Sequence, residues 1–278
     1  MPPPGIRPAQ PFPVPKFPFP RAGECAVNRA RGRLAAVLLA VVLGAAVGGC
    51  DGSGSDRTSA RPVPSYAAIT DVPESLSLDG TTVTVGNPAA LVLVHLYEDP
   101  RCPTCKAFET IGGGPVLRDW VVQGKARADY TMASFLDGRL GGHGSEKAVN
   151  ALRAAFEQKK FAEYHEVLYQ NQPEETVDGF TTARLLELAG KVEGLRGPAF
   201  DSAVKTMKYR NFVDTAQVAY VRAGRRGGNG PGTPTLEIDG IRVPDETYNS
   251  LFDKTAFTQI LTRVYAVIAR ETPKPARA

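Results

Sequence analysis

The sequence predicts an α/β fold in which a central mixed sheet is flanked by helices, with an all-α insertion between the second and third sheet strands. Residues 91–97 form a continuous apolar, β-branched run typical of a strand buried on both faces, and residues 126–136 form the next strand candidate. Helical patterns then occupy residues 145–230 before a third strand at 235–238. The strand, helix, strand order of the first two implies a parallel pair, whereas short turns elsewhere imply antiparallel ones.

Turn residues predict the structure of the segments on either side of the first strand. Residues 75–85 alternate in polarity around an Asp-Gly dipeptide, which predicts a β-hairpin. After the strand, Cys102 opens a helical segment with Pro103 at its first position, where the missing N–H has no cost. Three glycines at 112–114 should end or kink this helix.

The rest of the chain divides by composition. Residues 71–144 are expected to form the first half of the sheet domain, 145–230 the helical insertion, 231–270 the second half, and 271–278 a polar tail. Ser145 is a plausible N-cap of the first inserted helix. Helices are predicted at 146–158, 161–171, 182–192, 198–207, 211–222 and 253–270, and a hairpin joins 235–238 to 241–243.

Cys102 and Cys105 carry the chemistry. A helix N-terminus offers unpaired N–H groups and the positive end of the helix dipole, so Cys102 should have a depressed pKa and act as the attacking sulfur. Cys105, one turn later on the same side, faces inward and can resolve a mixed disulfide formed at Cys102. The sequence therefore predicts a thiol-disulfide redox site.

The same Cys-x-x-Cys spacing is half of a zinc site. A four-ligand zinc site needs two more Cys or His ligands, and the remaining candidates do not form a second close pair. We therefore predict no metal. Those candidates are Cys25, Cys50, His95, His143 and His165.

Two stretches carry a resemblance to a known family. Residues 93–108, read as LVHLYEDPRCPTCKAF, and residues 232–240, read as GTPTLEIDG, resemble the DsbA-like branch of the thioredoxin superfamily, with similarity over residues 83–269. The resemblance implies a thioredoxin-like fold carrying a helical domain. It also implies a redox enzyme with no cofactor beyond its own Cys102–Cys105 disulfide.

The resemblance extends to further site residues. Thr233–Pro234 is expected to be a cis peptide bond beside the two sulfurs, where the Thr233 backbone can pair with an extended substrate strand. Pro103, Thr104 and Thr233 are expected to tune the stability of the Cys102 thiolate. Taken alone, Thr-Pro-Thr is also compatible with an ordinary turn before a strand.

The acidic and histidine residues near the motif are expected to have ordinary structural roles. Thioredoxin-like reductases commonly keep a buried carboxylate six residues before the first cysteine, but here that residue is Leu96. Glu98 and Asp99 lie closer, and the break at Pro100 favours solvated loop acids over proton relays. His95 is expected to be a packed residue rather than a catalytic one.

The N-terminal region predicts export. Residues 34–47 are apolar, follow three arginines, and are short for a transmembrane helix but typical of a signal peptide. The sequence Val-Gly-Gly-Cys resembles the lipobox of bacterial lipoproteins, which implies that Cys50 is diacylated and that residues 50–70 form a flexible tether. Ordinary secretion after cleavage near Ala46, or an uncleaved anchor, are the alternatives.

Residues 1–49 are therefore interpreted as an N-terminal extension and signal peptide. The first 26 residues are dense in proline and place the basic region unusually far from the start. We expect translation to begin near Val27, in which case Cys25 is not made. The exported domain would then retain Cys102 and Cys105 as its free thiols, in an oxidising compartment.

Together these features predict an extracytoplasmic, membrane-tethered thiol-disulfide oxidoreductase that forms, reduces or isomerises disulfides in exported proteins. A membrane redox partner would recycle the dithiol, and the direction of exchange stays open. The alternatives are a non-catalytic peptide-binding or assembly factor, and a thiolate metallochaperone, against which the three scattered methionines argue. The formal net charge of +4 accompanies no nucleic-acid motif, so no nucleic-acid partner is expected.

Overall fold

The structure is a computed structural model that describes residues 65–226 and 232–271. The predicted signal peptide, Cys50, most of the predicted tether and residues 272–278 of the predicted polar tail lie outside the described residues. Six strands are found within them: β1 (Glu74–Leu76), β2 (Val83–Gly86), β3 (Val92–Glu98), β4 (Ala126–Met132), β5 (Thr235–Ile238) and β6 (Ile241–Arg242).

These strands form one mixed sheet in the order β1-β2-β4-β3-β5-β6. β3 and β4 are parallel, with Val94 opposite Ala128, and the other pairs are antiparallel. The predicted hairpin is β1–β2, and Gly80 in its turn has φ 70°, which glycine adopts without strain. β5 lies along β3 with Tyr97 opposite Thr235, so the residues before β5 lie beside the end of β3.

Helices cover both flanks of the described sheet and most of the chain between β4 and β5. Two 3-10 segments, Ile69–Asp71 and Asp245–Leu251, precede β1 and the last helix. The α-helices are α1 (Pro103–Thr110), α2 (Gly114–Val122), α3 (Phe135–Leu140), α4 (Gly144–Glu157), α5 (Phe161–Gln170), α6 (Thr182–Ala189), α7 (Pro198–Thr206), α8 (Arg210–Arg226) and α9 (Lys254–Glu271).

The predicted fold class is confirmed. The helical insertion lies between β4 and β5, which are the second and third strands when counted from the one that precedes the cysteines. The strand predicted at 126–136 is shorter than expected, because it ends at Met132 and its last residues begin α3.

The predicted N-cap of α4 is wrong. Ser145 lies in the first turn of α4, and its Oγ donates to Asp99 Oδ1 at 2.6 Å. The carboxylate of Asp137 accepts from the N–H of Ser145 at 3.0 Å and the N–H of Glu146 at 2.9 Å, so it satisfies this helix end. The cap therefore comes from α3, which a local sequence pattern does not reveal.

The glycines at 112–114 separate α1 from α2, as predicted. A Cβ at Gly113 would lie 2.7 Å from Phe257 Cδ1 and 2.8 Å from Phe108 Cε2, closer than carbon atoms pack. Phe108 and Phe257 themselves meet edge to face at 5.8 Å. Glycine thus allows α1, α2 and α9 to pack together under the sheet.

None of the helices within residues 65–226 and 232–271 is long and apolar enough to cross a membrane.

Candidate functional site

Cys102 is the N-cap of α1, and three residues separate it from the end of β3. Its N–H donates to the Asp99 carbonyl at 2.9 Å, which closes the turn between strand and helix, and Pro103 is the first helical residue as predicted. The Cys102 residue is only 7 % exposed. The Cys102 Sγ lies 3.2 Å from the Thr233 carbonyl oxygen, to which the thiol donates when it is protonated.

The second motif meets the first at the end of β3. The Thr233–Pro234 peptide bond is cis, as the resemblance implies. The Tyr248 hydroxyl donates to the Pro234 carbonyl at 3.2 Å and holds this turn from the far side. Since β5 pairs with β3, Thr233 and Cys102 become neighbours although they lie 131 residues apart.

The two sulfurs have opposite pKa shifts. A hydrogen bond from the Cys105 thiol, with further ones from Thr233 and the backbone N–H groups of Thr104 and Cys105, lowers the pKa of Cys102 to about 6, although burial acts in the other direction. Cys105 is fully buried, and this burial raises its pKa well above the ordinary value. At neutral pH Cys102 is therefore a thiolate and Cys105 a thiol.

Pro103 and Thr104 are exposed at the surface between the two cysteines. Beneath them the cysteines pack against Leu136 from α3 and Tyr169 from α5. The helical insertion thus supplies the apolar inner wall of the dithiol.

The interpretation of Glu98 and Asp99 as solvated loop acids is wrong, because both are 0 % exposed. The Asp99 carboxylate accepts from the N–H of Arg101 at 3.0 Å and the N–H of Leu136 at 3.0 Å, besides the Ser145 hydroxyl. Burial raises the pKa of Asp99 to about 7. The sequence break at Pro100 marks a turn that folds under the insertion rather than into solvent.

Arg101 is a buried cation immediately before Cys102 in the sequence. Its Nη1 lies 2.7 Å from Asp137 Oδ1 and donates to the Gly141 carbonyl at 2.8 Å, while Nη2 donates to the Glu175 carbonyl at 3.0 Å. Gln172 acts on the same loop, since its Nε2 donates to the carbonyls of Pro100 at 2.7 Å and Cys102 at 2.9 Å. The insertion therefore holds the loop before α1 through direct polar contacts.

The one group of side chains in the described residues with metal-ligand spacing is Glu98, Glu109 and His165, whose ligand atoms lie within 4.8 Å of one another. His165 uses both ring nitrogens, Nε2 toward Glu98 at 3.0 Å and Nδ1 toward Glu109 at 4.0 Å. A metal held by all three residues would take one nitrogen of His165, whereas here each carboxylate lies beside a different nitrogen. His165 Nε2 is hydrogen-bonded to Glu98, and Arg118 donates to Glu109 at 2.9 Å.

The sequence interpretation gives no role to Arg101, Gln172 or Glu109, and it considers His165 only as a candidate metal ligand. For Glu109 and His165 the sequence contains a signal in their helical spacing. Glu109 lies four residues after the inward-facing Cys105, which places it on the same buried face of α1. His165 lies four residues from both Phe161 and Tyr169 on the buried face of α5. Arg101 and Gln172 depend on contacts between distant segments.

A family model described as thioredoxin matches residues 78–254 of the chain. Among solved structures, oxidised DsbA of Mycobacterium tuberculosis is 25 % identical, covering 73 % of this chain and 100 % of its own, with a TM-score of 0.53. The reduced disulfide bond oxidoreductase DsbG of the same organism is 26 % identical, covering 73 % and 95 %, with a TM-score of 0.53.

BdbD of Bacillus subtilis, in its oxidised form, is 18 % identical over 66 % of this chain and 92 % of its own, with a TM-score of 0.54. This likeness concerns the fold. Among curated proteins no match is found.

The lowered pKa of Cys102 predicts how the reactivity of this thiol depends on pH. Alkylation of Cys102 by iodoacetamide should reach half its maximal rate near pH 6 instead of near the ordinary value of 9.0. Because the folded pKa is depressed, the reduced protein should gain stability over a Cys102→Ser variant as pH rises from about 6 to 9, and lose that gain as pH falls through 6.

Alkylation rates and thermal midpoints measured across this pH range check the titration. A Cys105→Ala variant should shift the alkylation midpoint upward, since the Cys105 thiol makes the largest contribution. An unshifted midpoint near 9 in the wild type would contradict the assignment.

Proposed function

Because this chain belongs to the thioredoxin family, in its DsbA-like branch, we propose that it is a thiol-disulfide oxidoreductase that acts on exported proteins. The observation that carries the proposal is the geometry of the two cysteines: Cys102 is the N-cap of α1 with its Sγ 3.2 Å from the Thr233 carbonyl oxygen, and Cys105 is fully buried one turn later. The lowered pKa of Cys102 and the raised pKa of Cys105 agree with it. A thiolate at the mouth of a site and a protonated, buried thiol behind it are the two groups that a two-step exchange requires.

In the reducing direction the Cys102 thiolate attacks one sulfur of a client disulfide. A Cys102–client bond forms, the client disulfide breaks, and the second client sulfur leaves as a thiolate. Cys105 then loses its proton and attacks the Cys102 sulfur, which expels the first client sulfur as a thiolate. The client gains two electrons, and the enzyme, which loses them, ends with a Cys102–Cys105 disulfide. Oxidation of a client dithiol is the same sequence in reverse.

The oxidising direction has the better support. Polar contacts that stabilise the Cys102 thiolate stabilise the reduced enzyme, and a stabilised reduced form makes its disulfide a stronger oxidant. The enzyme would therefore donate its disulfide to clients. A redox partner in the membrane would then reoxidise the dithiol.

Client contacts are assigned to the residues around the Cys102 sulfur. Pro103 and Thr104 are exposed beside it, and Thr233 is partly exposed across from it. An extended client segment that presents its sulfur to Cys102 would lie between these two surfaces, against the backbone of Thr233. Thr104 and Thr233 also tune the Cys102 thiolate, because both contribute to its lowered pKa.

The proposed location is the extracytoplasmic face of a bacterial cell membrane. The arginine-flanked apolar segment at 34–47 and the lipobox-like sequence ending at Cys50 support it. A diacylated Cys50 provides two chains for stable anchoring, and the polar segment that follows gives the domain reach. Disulfide exchange with exported proteins fits that oxidising compartment.

Removing the resolving sulfur should trap clients. In a Cys105→Ala variant the mixed disulfide with Cys102 cannot be resolved from within, so we expect client proteins covalently attached to it and released by dithiothreitol. Non-reducing electrophoresis and mass spectrometry measure the adducts. A Cys102→Ser variant is the matched control and should give none. Equal adducts in both variants, or none in either, would argue against catalytic exchange.

The anchor has its own test. Mass spectrometry of the mature N-terminus from a bacterial host that processes lipoproteins should find a diacylated Cys50 as the first residue. A Cys50→Ser variant should lose membrane association while keeping the exchange activity of the domain. An unmodified first residue other than Cys50 would disprove the lipoprotein proposal and leave secretion or an uncleaved anchor.

A further inference from the structure

One side chain of the helical insertion reaches the backbone of Cys102 itself. Gln172 follows the end of α5, and its Nε2 donates to the carbonyl oxygens of Pro100 at 2.7 Å and Cys102 at 2.9 Å. Its own carbonyl oxygen accepts from Lys106 Nζ on α1 at 3.4 Å. Gln172 is buried, so water does not compete for these contacts.

We propose that Gln172 and Arg101 are positioning residues for Cys102, which fix the backbone at the start of α1 so that its N–H groups point at the Cys102 sulfur. This inference rests on the proposed function, in which that sulfur exchanges with clients. It adds that the helical insertion, through these two side chains, sets how readily the sulfur reacts.

The carbonyl that Gln172 binds belongs to the cap of α1. Cys102 has φ −72° and ψ 119°, an extended conformation, and its carbonyl accepts the first helical bond from the N–H of Lys106 at 3.1 Å. Rotation about ψ would turn the Cys102 side chain relative to the first turn of α1. The next residue, Pro103, has no N–H with which to hold the cap. The second hydrogen bond to the carbonyl, from Gln172, opposes this rotation.

The orientation of the cap decides which groups face the sulfur. The N–H groups of Thr104 and Cys105 donate toward the Cys102 sulfur and contribute to its lowered pKa. N–H groups at a helix start have fixed directions, so they stabilise a thiolate only if the sulfur lies in front of them. A change in the cap therefore weakens several contacts at once.

Arg101 fixes the same loop from the position between the two bonded carbonyls. Its side chain is 1 % exposed, and the guanidinium donates to Asp137 Oδ1 at 2.7 Å and to the carbonyls of Gly141 at 2.8 Å and Glu175 at 3.0 Å. These acceptors lie on two segments of the insertion, α3 with its end and the segment between α5 and α6. One planar side chain thus joins both segments to the loop before α1.

The role assigned to Arg101 depends on its geometry and not on its charge. The guanidinium is paired with the buried Asp137 carboxylate, which offsets its positive charge. The contacts that lower the pKa of Cys102 are hydrogen bonds from Cys105, Thr233 and the backbone. Arg101→Lys would keep the positive charge, but an ammonium lacks the planar fork that reaches three separate acceptors.

The test measures the reactivity of Cys102 in the reduced full-length protein. Gln172→Met keeps the length of the side chain and removes its N–H donor. The pH midpoint of alkylation by iodoacetamide, followed by mass spectrometry of the Cys102 peptide, should rise by about one unit, because several hydrogen bonds to the thiolate weaken together. Equilibration with glutathione should show a disulfide about tenfold harder to reduce, which is a potential about 30 mV more negative.

Asn171→Leu is the matched control. Asn171 directly precedes Gln172, and its Nδ2 donates to the Val167 carbonyl at 2.8 Å, at the end of α5 rather than in the loop before α1. Both substitutions remove a side-chain amide, so both are expected to lower the thermal midpoint. Only Gln172→Met should move the pH midpoint and the glutathione equilibrium.

Arg101→Lys provides the second variant. It should shift the pH midpoint and the glutathione equilibrium in the same direction as Gln172→Met. The substitution leaves some of the buried acceptors without a donor, which costs stability and can prevent folding. Where Arg101→Lys does not fold, Gln172→Met and Asn171→Leu decide the outcome.

A folded Gln172→Met with the wild-type pH midpoint and the wild-type glutathione equilibrium would overturn the inference. Equal shifts in Asn171→Leu would also overturn it, because the effect would then be a general loss of stability. The proposed function fails separately from the positioning role. Absence of client adducts in Cys105→Ala would disprove exchange with clients, whereas the pH midpoint in Gln172→Met is measured without any client.

Discussion

A thiolate that is 7 % exposed must be stabilised by polar groups, and those around Cys102 come from separate parts of the chain. The start of α1 provides backbone N–H groups, Cys105 provides its thiol, and Thr233 approaches from the segment before β5. The pairing of β5 with β3 is what brings the last of these to the sulfur. The antiparallel pairing of β5 with β3 therefore extends the sheet and also helps to lower the pKa of Cys102.

The helical insertion completes the site from the other side. Asp137 caps α4 and pairs with the buried Arg101, so the start of the insertion and the loop before Cys102 are fixed by one carboxylate. Breaking a buried ion pair costs about 3–5 kcal/mol, because the remaining charge is left without a partner. With Gln172 bonded to the Cys102 carbonyl, the loop has little freedom to move independently of the insertion.

The same insertion isolates Cys105 from water. Tyr169 and Leu136 pack against the two cysteines. Burial raises the pKa of Cys105, whereas hydrogen bonds lower the pKa of Cys102. Because Cys105 is fully buried, its thiol proton has no direct access to water.

Local patterns predicted much of the fold and the centre of the site. The apolar run before Cys102, the proline after it and the glycines that end α1 act through neighbouring residues, so they can be recognised in a single sequence. The environment of Glu98 and Asp99 could not be recognised, because the segments that bury them lie far along the chain. For the same reason the cap of α4 was assigned to Ser145 instead of Asp137.

The reduction potential of the Cys102–Cys105 pair against glutathione tests the central claim most directly. With the pKa of Cys102 lowered to about 6, the account predicts a potential between about −270 mV, typical of a reducing thioredoxin, and about −120 mV, typical of a strong oxidant. A potential below about −270 mV would contradict it, because the contacts around Cys102 would then not stabilise the thiolate in the reduced enzyme.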